Sequence, residues 1–289
     1  MRLGAGRQRS IAIVTHRAAP GIDADEAALG PALEALGLSW QAMPWDDPTF
    51  DWASVDAAIL RSPWDYSRRR DEFLAWCRRA ASVTTLCNPL PIIERNTHKS
   101  YLLELAAAGV PVVPTCLLPA GSADPADIAA KRGWCDIVVK PAVSAGSWRT
   151  WRLTVAESSH DWTRARRLAR TRETLVQPYL PSVTVDGERA LVFLDGAFSH
   201  AIRKRSLFED ESVAYRVAVT PSAAELELAA KALRAAGAEG LLYARVDLAP
   251  GVDGAPMLME LELTEPRLFF TAAPPEATTC FAEAIARRL

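Results

Sequence analysis

Four charged residues stand in two neighbouring apolar runs with the spacing of a shared surface. Between Tyr243 and Leu263, Arg245 and Asp247 are two apart, and so are Glu260 and Glu262. Two-residue spacing puts each pair on one face of an extended strand. The Pro/Gly/Asp-rich segment between the runs contains Asp253-Gly254, a hairpin signal. Met257, Met259, Leu261 and Leu263 alternate onto the opposite face. Three carboxylates inside strands built for burial need a compensating positive charge. A hard divalent cation, magnesium first, would supply it. The competing reading is a half-exposed sheet with both glutamates in water, and alternation alone does not separate the two.

Cations stand at other informative places. A helix is expected from His98 to Ala108, opened by Asn96-Thr97 and stopped by Gly109, with Lys99 in its first turn. A lysine opposes the helix dipole there, and an anion at the helix start would relieve it. Asp136 to Lys140 reads as a strand that runs into the small-residue loop Ala142-Val143-Ser144-Ala145-Gly146-Ser147. Small residues let backbone N–H groups approach phosphate oxygens, with Lys140 as a point charge beside them. Arg216 interrupts an apolar strand expected over 213–219, which suggests a partner anion. His200 reads as a hydrogen-bonded sheet histidine rather than a ligand.

These residues need a scaffold, and the chain is long enough to build one. Its 289 residues are 49% hydrophobic and 24% charged, ordinary for a globular protein with a sizeable core. A formal net charge of −2 gives no electrostatic reason to expect a nucleic-acid binder. The arginines at 68–70 and 164–172 fall on helices with polar faces. Five scattered cysteines without a CxxC pair argue against a disulfide framework or zinc site and for a reducing compartment. The apolar run Ile11–Val14 is too short for a signal-peptide core, and no segment has the length of a membrane span, so a cytoplasmic location is expected. Gly4-Ala5-Gly6 precedes the first strand and fails as a dinucleotide fingerprint, and neither GxxxxGK[ST] nor GxSxG occurs.

Strand and helix alternate over residues 1–95: strands at 11–15, 38–43, 55–61 and 84–87, helices at 24–36 and 69–80. That order predicts an open parallel α/β unit. Ligands bind beyond the carboxyl ends of such strands, where Arg61-Ser62-Pro63-Trp64-Asp65-Tyr66 lies as a candidate substrate edge. Further strands are expected at 149–153, 174–180, 190–194 and 197–204, and helices at 159–170, 221–236 and 275–288.

Lysines and arginines facing three carboxylates and a cation form the charge arrangement a polyphosphate needs. On the motifs RSPWDY, NTHKSYLLELAAAGVPVVPT, VVKPAVSAGS, LVQPYLPSVTVDGER, FSHAIRKR and YARVDL…MELELTEPRLFF, nearly the whole chain resembles the ATP-grasp superfamily. Within it the layout is similar to the prokaryotic glutathione synthetase-like branch and closest to cycloserine synthetase (O-ureido-serine cyclo-ligase)-like proteins. The resemblance implies an α/β fold, α+β in part: an N-terminal unit (1–95), a central lid subdomain (96–176) and a C-terminal catalytic subdomain (177–289), the last two sandwiching ATP.

Carried over by position, the resemblance places Lys99 and Lys140 on the ATP phosphates and Ser144, Gly146 and Ser147 in a mobile loop over them. Gln177, Tyr179 and Leu180 would form the adenine hinge, and Glu188 would hold the ribose. Asp247, Glu260 and Glu262 would bind Mg2+, with Arg216 and Arg245 on the γ-phosphate and the acyl phosphate that replaces it. Glu262 stands where Asn is frequent in the family, and Ala145 and Trp148 replace smaller loop residues. Trp64, Asp65 and Lys204 would face the acceptor. The implied reaction activates a carboxylate as an acyl phosphate and couples it to an amine, releasing ADP and phosphate. Intramolecular ring closure shares every nucleotide-site residue, and a nucleotide-gated binding protein without turnover is the alternative of a different class. The partners expected are a small-molecule carboxylate and amine, with neither nucleic acid nor membrane, and a homodimer is left open.

Overall fold

The first four strands close into a parallel sheet. The computed structural model describes residues 8–204 and 216–289, so Gly4-Ala5-Gly6 and the 213–215 part of the Arg216 strand lie outside the described residues. β1 (Ser10–Thr15), β2 (Ser39–Pro44), β3 (Ala57–Leu60) and β4 (Thr85–Cys87) take the order β2-β1-β3-β4, all parallel. Such strands are covered on both faces, which is why Ile11–Val14 and Ala57–Leu60 read as unbroken apolar runs and are fully buried. Leu29 and Leu33 of helix Leu29–Ala35 cover one face. Phe73, Leu74 and Cys77 of helix Arg70–Ala81 cover the other. The single helix expected from Ala24 instead opens as a short 3-10 turn, Ala24–Glu26, capped by Asp23.

A second sheet is antiparallel: β5 (Cys116–Leu118), β6 (Asp136–Pro141), β7 (Trp151–Thr154) and β8 (Thr174–Pro178), in the order β5-β8-β6-β7. Trp162, Ala165 and Ala129 of helices His160–Thr171 and Pro125–Arg132 fill its core. Side-chain caps from Ser159 and Asp124 open these helices.

The third sheet has five strands: β9 (Glu188–Leu194), β10 (Ala197–Lys204), β11 (Arg216–Val219), β12 (Tyr243–Pro250) and β13 (Pro256–Glu262), in the order β11-β10-β9-β12-β13. Leu191 and Phe193 face one core with helix Ala223–Ala236, which a Ser222/Glu225 capping box opens and Gly237 (φ 64°) ends. Ala190, Val192 and Leu194 face the other, shared with Ile11 and Ile13 of the first sheet and Phe281 of helix Glu276–Arg287. The first and third sheets therefore rest on one continuous core.

The helix expected from His98 to Ala108 is shorter. A separate helix, Leu90–Asn96, precedes it with proline in its first turn, and the second spans Tyr101–Ala107. Lys99 falls in the connection, so the helix-dipole reason for an anion beside it does not hold. Tyr101, Leu102 and Leu105 pack on the five-stranded sheet. No helix among the described residues is long and apolar enough to cross a membrane.

Candidate active site

β12 and β13 pair with Asp247 opposite Glu260 and Arg245 opposite Glu262, and a bulge follows Asp247. All four line a cavity of about 540 Å³, within the size range of small-molecule sites. β13 is an edge strand, and its outer edge is closed by groups from the preceding chain. Pro111 O accepts from Leu258 N–H (2.7 Å), and Leu258 O accepts from Val113 N–H (2.9 Å). Leu261 N–H donates to the Tyr101 hydroxyl (3.1 Å), and Leu263 N–H to Asn96 Oδ1 (2.8 Å). Asn96 Nδ2 donates to Leu261 O (2.7 Å). With both edges hydrogen-bonded, the strand holding Glu260 and Glu262 cannot slip register.

Each of these carboxylates has a cation partner. Asp247 accepts from Arg245 Nε (2.9 Å) and Lys204 Nζ (2.8 Å). Lys204 also meets Glu188 (3.0 Å). Glu260 pairs with Lys99, and Glu262 with Arg245. Burial alone would raise the Asp247 and Glu260 carboxyls, but Arg245 and Lys204 beside the first, and Lys99 and Lys140 beside the second, hold both well below the usual range. Burial would likewise lower Lys99, which Glu260 more than reverses. Lys140 behaves otherwise. It makes no ion pair among the described residues, and burial together with the like charge of Lys99 lowers its pKa despite the pull of Glu260.

The cavity gathers most of the residues expected at a site. Ser144, Gly146 and Ser147 line it from the loop after β6. Gly146 (φ 57°), Ser147 (φ 59°) and Arg149 (φ 55°) turn that loop through left-handed conformations that the two non-glycine residues adopt at a cost. Gln177, near the end of β8, and Tyr179 and Leu180 just after it line one wall, and Gln177 Nε2 donates to Thr115 Oγ1 (2.8 Å). Glu188, Lys204 and Trp64 complete the lining named from sequence. Gly187 (φ 76°) opens the strand carrying Glu188, and a Cβ there would collide with the Lys204 carbonyl oxygen.

Two expectations need correction. Asp65 does not line the cavity. It accepts from Trp45 Nε1 (2.8 Å) and pairs with Arg69, so the 3-10 turn Trp64–Arg68 aims it back at its own unit. Arg61, at the expected substrate edge, is 2% exposed and paired with Glu26. Arg216 is exposed on the outer strand β11, with its guanidinium 5.2 Å from the Phe269 ring, and lines the cavity without being buried.

Tyr66, part of the expected substrate edge, lines the cavity, and so do Glu265 and Arg267, which sequence reasoning missed. Glu265 and Arg267 flank Pro266 just beyond β13, where strand periodicity has ended. Charge on both sides of a proline after a carboxylate-bearing strand was the available signal. Burial, then the negative charge of Glu262, push the Glu265 carboxyl up to about 8 against the pull of Lys99. Glu265 thus keeps a proton in the folded protein that it loses near pH 4.5 when unfolded. Its contribution to stability is complete below that pH and falls away as pH rises to about 8. Thermal melting of Glu265→Gln against wild type should show a Tm advantage for the variant that grows from pH 4.5 to pH 8; a pH-independent offset would contradict the burial argument.

Three carboxylates on one hairpin face are suitable donors for a hard cation. As they stand they are turned to Lys99, Lys204 and Arg245, and among the described residues no group of three His, Cys, Asp or Glu is close enough to hold an ion. A metal would enter by exchanging with those partners.

Residues 11–88 match the family model of the N-terminal domain of D-cycloserine synthetase DcsG. The chain is 36% identical to the cycloserine biosynthesis protein DcsG of Streptomyces lavendulae, over 96% of this chain and 98% of that protein. It belongs to the DcsG family. The crystal structure of D-cycloserine synthetase DcsG superposes with a TM-score of 0.87 at 34% identity, covering 96% and 99% of the two chains. The ATP-grasp ligase PsnB, solved with Mg, ADP and a precursor variant, is similar in fold (TM-score 0.67, 19% identity, 97% and 99% covered). Like other DcsG-family proteins, this chain is therefore an ATP-grasp enzyme, a C–N bond-forming ligase that couples a carboxylate to an amine at the expense of ATP.

Proposed function

We propose that ATP lies between the second and third sheets, with its phosphates on Lys99 and Lys140 and Mg2+ on Asp247, Glu260 and Glu262. The observation that carries this reading is Lys140: a cation facing the cavity, without an ion pair among the described residues, beside a ring of carboxylates already balanced by others. Gln177, Tyr179 and Leu180 take the adenine, and Glu188 the ribose. Residues 1–95, 96–176 and 177–289 serve as acceptor, lid and catalytic units, the lid moving chiefly as β5–β8 because Tyr101–Ala107 is fixed to the third sheet.

Bound Mg·ATP supplies an activated γ-phosphoryl group and the charge that holds it. The chain's own groups do the rest. Lys99, Lys140 and Arg216 offset negative charge as the acceptor carboxylate attacks, while Arg245, held by Asp247 and Glu262, keeps the floor of the site fixed. Ser144, Gly146 and Ser147 close over the phosphates and exclude water, which would hydrolyse the acyl phosphate. The small-molecule substrate enters past Trp64. Ring closure within one molecule is favoured over coupling of two by the match to a cycloserine biosynthesis protein over nearly the full length of both chains. ADP release with O-ureidoserine as sole acceptor supports the ring-closing form; release only on adding a second amine supports the two-substrate form.

Lys140→Ala should weaken ATP binding about 10- to 100-fold by calorimetry, the scale of one or two charge-assisted hydrogen bonds. Unchanged affinity would remove Lys140 from the phosphate site.

A further inference from the structure

Trp148 ends the small-residue loop after β6 and is half-buried without lining the cavity. Three guanidinium groups face its ring: Arg149 at 4.5 Å from the ring centroid, Arg172 at 5.4 Å and Arg68 at 5.7 Å. All three distances are within the range of a cation–ring attraction, and none of the three has a carboxylate partner among the described residues. Arg172 follows helix His160–Thr171, which covers the sheet that carries the loop. Arg68 comes from elsewhere. It ends the 3-10 turn that begins at Trp64 and brings Trp64 and Tyr66 to the cavity. The loop meets that unit a second time, where Val143 and Ala145 pack against the buried cluster that includes Tyr66, Phe73 and Trp76. Ser147 and Arg149, on either side of Trp148, hold left-handed conformations that non-glycine residues keep only where contacts elsewhere fix them. The ring contacts and the packing of Val143 and Ala145 are such contacts.

We propose that Trp148 is a positioning residue: clamped between Arg68 and Arg172, it latches Ser144, Gly146 and Ser147 over the phosphates only while the Trp64–Arg68 turn is in place. This role rests on the ligase reading above and couples its two sides, because the turn that borders the acceptor's entry also holds the loop over the nucleotide. With the latch open, water reaches the acyl phosphate. Its oxygen attacks the acyl carbon and the bond to phosphate breaks. Carboxylate, inorganic phosphate and a proton are released, and ATP is consumed without a C–N bond. A smaller residue at position 148 has no ring for either cation to face, so the latch depends on this tryptophan rather than on the loop as such.

The test uses the full-length enzyme with Mg·ATP and O-ureidoserine, and reads KM for ATP and the ratio of ADP to C–N-bonded product. One exposed cation–ring contact corresponds to a factor of about 2 to 5. Arg68→Ala should raise KM for ATP by that factor. Trp148→Ala, which frees Arg172 as well, should raise it about 4- to 25-fold. Both should release ADP in excess of product while their melting temperatures stay near wild type. Trp148→Phe, which keeps a ring face, should recover most of the loss, and adding Arg68→Ala to Trp148→Ala should cost nothing further. Unchanged KM and ratio in the single variants, or losses that simply multiply in the double one, would overturn the latch. If wild type binds ATP by calorimetry yet releases no ADP with O-ureidoserine, alone or with a second amine, the ligase reading falls. The latch then stands or falls on hydrogen exchange over residues 142–150 with Mg2+ and a non-hydrolysable ATP analogue. Arg68→Ala should speed exchange there, and exchange equal to wild type overturns it.

Discussion

Glu260→Gln is expected to lower ADP release by about 10³-fold or more, the scale for removing one preorganised charge from a transition state. Gln keeps the size of the side chain and an oxygen that accepts from Lys99, so the hairpin should stay in register with its edge closed by Asn96, Tyr101 and Pro111. What it loses is the negative charge that a metal would share with Asp247 and Glu262. Circular dichroism and the melting temperature should therefore stay close to wild type while the magnesium dependence of turnover disappears. Wild-type turnover in this variant would remove Glu260 from the metal assignment.

Arg61→Met should destabilise the fold by about 3–5 kcal/mol, the cost of stranding one member of a buried ion pair. Both side chains of the Arg61–Glu26 pair are almost wholly enclosed. The guanidinium also lies 4.9 Å from the Tyr243 ring and donates to the Pro266 carbonyl (2.6 Å). Urea unfolding should show the loss as a lower midpoint, and Arg61→Met combined with Glu26→Leu should recover most of it, because no charge is then left without a partner. A double variant no more stable than the single one would mean that Arg61 acts through the Pro266 contact rather than through Glu26.

The hairpin was legible because its information is local. Period-two alternation and Asp253-Gly254 (Gly254 φ 80°) define both strands and their turn, and register then sets Asp247 against Glu260. Lys140 and its loop were legible for a similar reason, since strand, charge and small residues are consecutive. Glu265 was not, because it follows the strand and no periodicity assigns it a direction. Asp65 was misread because its orientation depends on Trp45 and Arg69, outside its own turn. The helix Leu90–Asn96 was overlooked, although a proline suits its first turn. The closing of β13 by residues as far as 165 positions away in sequence, as Asn96 is from Leu261, has no local signature at all.

The pairing of Lys99 with Glu260, and of Lys204 with Asp247 and Glu188, has a consequence for how ligands are taken up. Magnesium arriving alone would have to evict an ammonium group and leave it stranded, and nucleotide alone would strand a carboxylate. On the proposed assignment, arriving together they would exchange partners: Lys99 would pass to phosphate oxygen and Glu260 to metal, so that neither buried charge is stranded. On that assignment the resting ion pairs of the site would act as an ion exchanger. Nucleotide and metal should therefore bind with strong positive coupling, each tightening the other by an equal factor. Titrating ATP with and without magnesium, and magnesium with and without ATP, would measure that factor from both sides.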